Sequence, residues 1–119
     1  MIRALAASVV IAVASSSPAQ EAAVQGQGAI LRGLDKVNGQ ARDLDLNNGA
    51  ATEFGSLTVE VAECRYPVEN PDGDAYAFVT IHETGRNREI FSGWMLASSP
   101  ALNPLEHARY DIWVLRCKI

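Results

Sequence analysis

From residue 29 onward the chain is a succession of short apolar stretches cut by turn signals, and no other feature constrains its fold as strongly. Stretches of this length and spacing mark a β-sandwich or a small barrel. The turn signals are Asn38-Gly39, Asn47-Asn48-Gly49, residues 69–74 (ENPDGD) and residues 84–87 (TGRN). Asn-Gly is the strongest of them, because both residues tolerate positive φ. It predicts that a strand over 29–37 returns as a strand over 40–46. In the second strand Leu44 and Leu46 share one face and Asp43 and Asp45 the other.

Residues 56–65 alternate in the same way. Leu57, Val59 and Val61 face one side, and Thr58 and Glu60 face the other, the pattern of a half-buried antiparallel strand. Cys64 breaks this parity. Either a bulge near Ala62-Glu63 shifts the phase, or the cysteine lies outside the main core. Residues 75–83 are apolar on much of both faces and read as a central strand. Residues 88–98 read as a long strand containing Gly93, which signals a bend or a close backbone approach. Ser99-Pro100 resembles a helix cap with proline at the first helical position, and Pro104 limits that helix to one or two turns. Residues 110–117 form the last strand, rich in β-branched and aromatic side chains. The expectation is an all-β fold: an antiparallel β-sandwich or small barrel of six to seven strands, with one short helix before the last strand. A chain of 119 residues has room for one such domain, which occupies 29–119.

The start of the chain has a different character. Met1-Ile2-Arg3 is a short positive beginning, residues 4–14 are uncharged and apolar, and Ser17 and Ala19 fit the small-x-small cleavage rule. This is the pattern of a secretory signal peptide over 1–19. The apolar run falls short of the about 20 residues a spanning helix needs, so no stable membrane insertion is expected after cleavage. Residues 20–28, rich in Gln, Gly and Ala, read as a flexible mature N-terminus. The protein is therefore expected in the periplasm or the medium. There Cys64 and Cys117, the two cysteines of the chain, read as a disulfide. The loop it closes has about 54 residues, and the chain-entropy model gives it about 4 kcal/mol.

Formal net charge is −4, Lys36 and Lys118 are the two lysines, and the arginines are scattered. Nucleic-acid binding draws on clustered cations, so no nucleic-acid partner is expected. No catalytic residue, cofactor or metal is assigned. Ser98 or Ser99 with His107 and Asp111 supplies the residue types of a hydrolase, but no nucleophile elbow surrounds the serines. His82 and Glu83 are strand neighbours that point to opposite faces. The 69–74 segment offers oxygens for Ca²⁺ without the full loop pattern, and the same residues make ordinary turns. An interaction surface is expected at Phe91, Trp94, Met95, Leu96, Leu102, Tyr110 and Trp113. The competing role for these side chains is core packing.

Several blocks resemble one family of small exported bacterial proteins, the domain of unknown function 2155. They are Ala29-Ile30-Leu31-Arg32-Gly33-Leu34-Asp35-Lys36-Val37, Phe54-Gly55-x-Leu57-x-Val59 and Glu63-Cys64-Arg65-Tyr66-Pro67. Two later ones are Phe91-Ser92-Gly93-Trp94-Met95-Leu96-Ala97-Ser98-Ser99-Pro100-Ala101-Leu102-Asn103 and Tyr110-Asp111-Ile112-Trp113-Val114-Leu115-Arg116-Cys117. The resemblance implies export and a single domain, with no assigned activity. It also implies, through genes that stand beside one for an accessory subunit of respiratory complex I, a role at the cell envelope. The function expected is a non-catalytic binding or accessory module with a protein partner in the envelope, associated with an envelope or respiratory complex. The alternatives are a small secreted hydrolase and a secreted enzyme inhibitor presenting the 69–74 loop.

Overall fold

The computed structural model describes residues 4–12 and 22–119. Residues 4–12 are exposed and belong to no strand or helix. The expected cleavage region lies outside the described residues.

Eight strands follow among the described residues: β1 (Ala23–Gln25), β2 (Gly28–Asp35), β3 (Ala41–Asn47), β4 (Ala51–Phe54), β5 (Leu57–Pro67), β6 (Tyr76–Glu83), β7 (Glu89–Leu96) and β8 (Tyr110–Lys118). They form two antiparallel sheets and no closed barrel. One sheet runs β1-β5-β6-β7, with β4 also paired to β5. The other runs β3-β2-β8. The count exceeds the expected six to seven by one, and two of the eight, β4 and β1, lie outside the segments read as strands. β4 pairs with the first half of β5 through a two-residue turn at Gly55-Ser56, where Gly55 has φ +58°, as a glycine-first hairpin turn requires. β1 pairs with the end of β5. From Ala23 on, the segment expected as a flexible terminus is thus paired into the sheet.

The core lies between the sheets. Ala29 and Leu31 from β2, with Ile112 and Val114 from β8, face Leu57, Val59 and Val61 of β5 and Val79 and Ile81 of β6. All are buried. The parity problem at Cys64 is resolved by a bulge. Val61 pairs with Val79 and Glu63 with Phe78, so Ala62 is the extra residue and Cys64 turns inward. β8 does the same. Ile30 pairs with Arg116 and Leu31 with Val114, so Leu115 is extra and Cys117 turns inward. Each bulge rotates one cysteine into the core, and the Cys64–Cys117 disulfide joins the two sheets.

The expected helix before β8 is absent. Ser99 N–H bonds Leu96 C=O (3.2 Å) and Leu102 N–H bonds Ser99 C=O (3.0 Å), which makes two successive turns. A helix here would have to nucleate between Pro100 and Pro104, and nucleation is its costly step. The segment is instead pinned to the body. Leu105 enters the core, and the Asn103 amide donates to Trp94 C=O (3.0 Å). Gly93 makes that approach possible, since a Cβ there would stand 2.9 Å from Asn103 Nδ2. Among the described residues no helix is long and apolar enough to cross a membrane.

Candidate interaction surface

The antiparallel register of β5, β6 and β7 lines up outward-facing side chains in rows. Arg65, Tyr76 and Leu96 form one row, and Glu63, Phe78 and Trp94 the next. Between them Cys64, Ala77 and Met95 point into the core. The sheet therefore carries a strip of large apolar side chains on its solvent face. Trp94 packs edge-to-face on Phe78 with ring centroids 5.4 Å apart and remains 39% exposed. A Glu63–Arg65 ion pair at 3.2 Å borders the strip.

The other sheet presents a different outer face. Arg32 bonds Asp43 (2.8 Å), Lys118 bonds Asp45 (2.6 Å) and Lys36 lies 3.5 Å from Asp111. The hydrogen bond from Arg32 is the main cause that holds the Asp43 carboxyl below its ordinary range, and the same bond raises Arg32.

The seven residues expected at an interface separate. Trp94 and Leu96 lie on the apolar strip. Met95 and Tyr110 are core residues, and Phe91 packs half-buried against the core. Leu102 is 70% exposed at the turn before β8. Trp113 lies across from Arg32 on the charged sheet and lines a 290 Å³ apolar groove with Pro100, Pro104 and Leu105.

Of the groups weighed for hydrolysis, Ser98, His107 and Asp111 are engaged elsewhere. Ser98 Oγ donates to Asp74 Oδ2 (2.7 Å), and Asp111 pairs with Lys36. His107 Nδ1 accepts from the N–H groups of Arg109 (3.0 Å) and Tyr110 (3.1 Å). A neutral imidazole that accepts at Nδ1 carries its proton on Nε2. It can then neither donate from Nδ1 to an aspartate nor take a proton at Nε2 from a serine. Asp74 also accepts from Ala75 N–H (2.8 Å) and Ser98 N–H (3.0 Å). Its carboxylate therefore braces the 69–74 loop against the end of β7. Among the described residues no three His, Cys, Asp or Glu side chains gather to hold a metal ion.

Sequence reasoning missed one polar cluster. Asp35, 7% exposed, is the buried charged residue of the core. Its carboxylate accepts from Arg109 Nε and Nη2 at 2.9–3.2 Å and from Val37 N–H (2.9 Å). The Arg109 hydrogen bond is the main cause that lowers the Asp35 carboxyl from its ordinary value. The local signal was present, because an Asp that opens a turn, here three residues ahead of Asn38, bonds the backbone N–H two residues on.

Residues 29–117 match the model of a family described as uncharacterized protein conserved in bacteria, domain of unknown function 2155 (DUF2155). The chain belongs to this family. The DUF2155 match begins at the second residue of β2 and ends at Cys117, so it contains both cysteines and the bulges that turn them inward and leaves β1 outside. A curated relative, the uncharacterized protein RP359 of Rickettsia prowazekii (strain Madrid E), is 28% identical over 87 residues, which are 71% of this chain and 56% of that protein. The chain thus spans about half the length of the curated relative it matches. No solved structure matches this DUF2155 chain.

Proposed function

We propose that this DUF2155 protein is exported to the periplasm and acts there as a non-catalytic binding or accessory module. It docks a protein of the cell envelope, part of an envelope or respiratory complex, through the outer face of its five-stranded sheet. The observation that carries this reading is the strip of Tyr76, Phe78, Trp94 and Leu96 on a solvent face, with Trp94 exposed on the edge strand β7. Trp94 packs on Phe78 yet keeps 39% of its surface in water, and that exposed part gains nothing for folding. Tryptophan is also enriched among the residues that carry binding energy at protein interfaces. The disulfide and the signal-like start support an oxidising compartment.

Immobilised mature protein challenged with envelope extract tests the reading. The expected result is a discrete protein retained by the wild type and by Asp43→Ala, and lost with Trp94→Ala. Turnover of a substrate without any retained partner would contradict it. A second reading, an enzyme inhibitor, draws on the exposed 69–74 loop braced by Asp74. It predicts that shortening this loop abolishes inhibition and leaves retention through Trp94 unchanged.

A further inference from the structure

At the end of the sandwich away from the disulfide an open groove of 540 Å³ lies between the β2–β3 loop and the β4–β5 turn. Two guanidinium groups line it. Arg42 lies over the Phe54 ring at 5.7 Å and Arg109 over the Tyr110 ring at 5.4 Å. The two rings pack edge-to-face at 5.7 Å, so the cations are braced by one continuous aromatic pair. Gly55 closes the stack from the side. A Cβ on it would stand 2.4 Å from the Tyr110 hydroxyl, which accepts from Ser56 N–H (3.3 Å).

Charge in the groove does not balance. Asp35 is the one anion among the lining residues, and its side chain is 10% exposed. Its oxygens are taken up by Arg109 and by the Val37 and Asn38 N–H groups. A guanidinium carries five N–H groups: among the described residues Arg109 spends its Nε hydrogen and one on Nη2 on Asp35 and keeps an end-on Nη1/Nη2 pair, and Arg42, which gives one Nη2 hydrogen to Glu53 C=O, keeps the rest. Asn38 and Gln40, which both carry side-chain amides, also line the groove, and Asn38 Oδ1 accepts from Gln40 N–H (2.9 Å). One uncompensated positive charge thus sits in a chain whose formal net charge is −4.

We infer that this groove binds a carboxylate, held by the free N–H groups of Arg42 and Arg109. A guanidinium fork matches a planar carboxylate, and a single excess charge matches a monoanion. A phosphate dianion would leave one charge uncovered. The side-chain amides fit a ligand with peptide groups next to its carboxylate, as at a chain terminus. A small organic acid offers the carboxylate alone. The site is separate from the Trp94 face and stands whether or not that face binds a protein.

Amide-resolved NMR of the mature protein tests the inference, with four probes: trialanine as free acid, trialanine amidated at its C-terminus, acetate and inorganic phosphate. The free acid should shift Gln40, Gly55 and Arg109 saturably. The amidated form should bind about tenfold more weakly or worse, since a hydrogen-bonded charge is lost. Arg42→Gln should cause a similar loss, and Arg42→Lys, which keeps the charge without the fork, a smaller one. Free acid tighter than acetate assigns the site to a peptide terminus, and equal affinity assigns it to small acids. The inference falls if no carboxylate gives saturable shifts at these positions or if phosphate binds more tightly than both carboxylates. It falls equally if Arg42→Gln, folded by its thermal transition, binds as the wild type does.

Discussion

The two solvent faces of the sandwich set their apolar side chains differently: Ile30, Leu34 and Trp113 of the three-stranded sheet stand in the same cross-strand rows as ion-pairing residues. On the three-stranded sheet, Arg32–Asp43, Lys118–Asp45 and Lys36–Asp111 lace the strands with ion pairs. On the five-stranded sheet, Tyr76, Phe78, Trp94 and Leu96 form an apolar strip with one bordering ion pair. Both faces cover the same core, so stability does not require the difference. The exposed ion pairs add little to folding. They do place charges along β3 and β8, the edge strands of their sheet, where charge discourages unwanted strand pairing. The aromatic face lacks that protection across its middle, and an unprotected apolar strip is where a partner gains most by excluding water.

The comparison can be broken most forcefully through the clamp that holds the two sheets together. Replacing both Cys64 and Cys117 with serine should cost about 4 kcal/mol, read by urea unfolding of mature protein, and a reductant should have the same effect on the wild type. A loss near zero would mean that the sheets hold together without the bond. Next in size is the anchor. Trp94→Ala should weaken partner binding by about 2 kcal/mol or more, roughly 30-fold, whereas Arg32→Ala on the opposite face should leave affinity unchanged. A smaller effect lies within the strip. A double-mutant cycle on Phe78 and Trp94 should give a coupling of about 0.5–1.5 kcal/mol in stability, and no coupling would mean that the rings merely sit side by side.

The smallest expected effects are those of the ion pairs, and they appear in acid. Arg109 lowers Asp35 and Arg32 lowers Asp43 relative to their ordinary values. A carboxyl lowered in the folded state contributes stability that is fully present above the unfolded value, about 3.9, and is lost as pH falls through the folded value. Asp35→Asn should therefore lower the thermal midpoint at neutral pH and flatten its fall below about pH 4. Asp43→Asn should do the same more weakly, because its pair is open to solvent. Parallel acid limbs for wild type and Asp35→Asn would contradict the Arg109 contact.

Much of the fold was legible because period-2 alternation leaves few choices. Leu57, Val59 and Val61 had to face one way, whereas the broken phase at Cys64 left open a bulge near Ala62-Glu63 or a cysteine outside the core, and the register with β6 decides it. The same break between Val114 and Cys117 stood in the sequence, one residue out of phase, and went unread. β4 was hidden because four residues carry little pattern, although Gly55-Ser56 is a hairpin signal. β1 was hidden by its Gln- and Gly-rich flanks and exists through pairing with the end of β5, a contact distant in sequence. The helix was misread from a local cap signal that two prolines and Asn103 overrule. At the interface the residue types were right but their directions were not readable. Trp94, Met95 and Leu96 are all apolar, so alternation alone leaves open which of them faces water, and the register with β6 decides it. The Asp35–Arg109 contact joins residues far apart in the chain, and only the closed sandwich reveals it.

Site-specific photo-crosslinking in the native envelope separates the two faces directly. A photoreactive side chain at position 94 should yield a discrete protein adduct, and the same side chain at position 43 should yield none. An adduct from position 43 with nothing from position 94 would place the partner on the charged sheet and overturn the account.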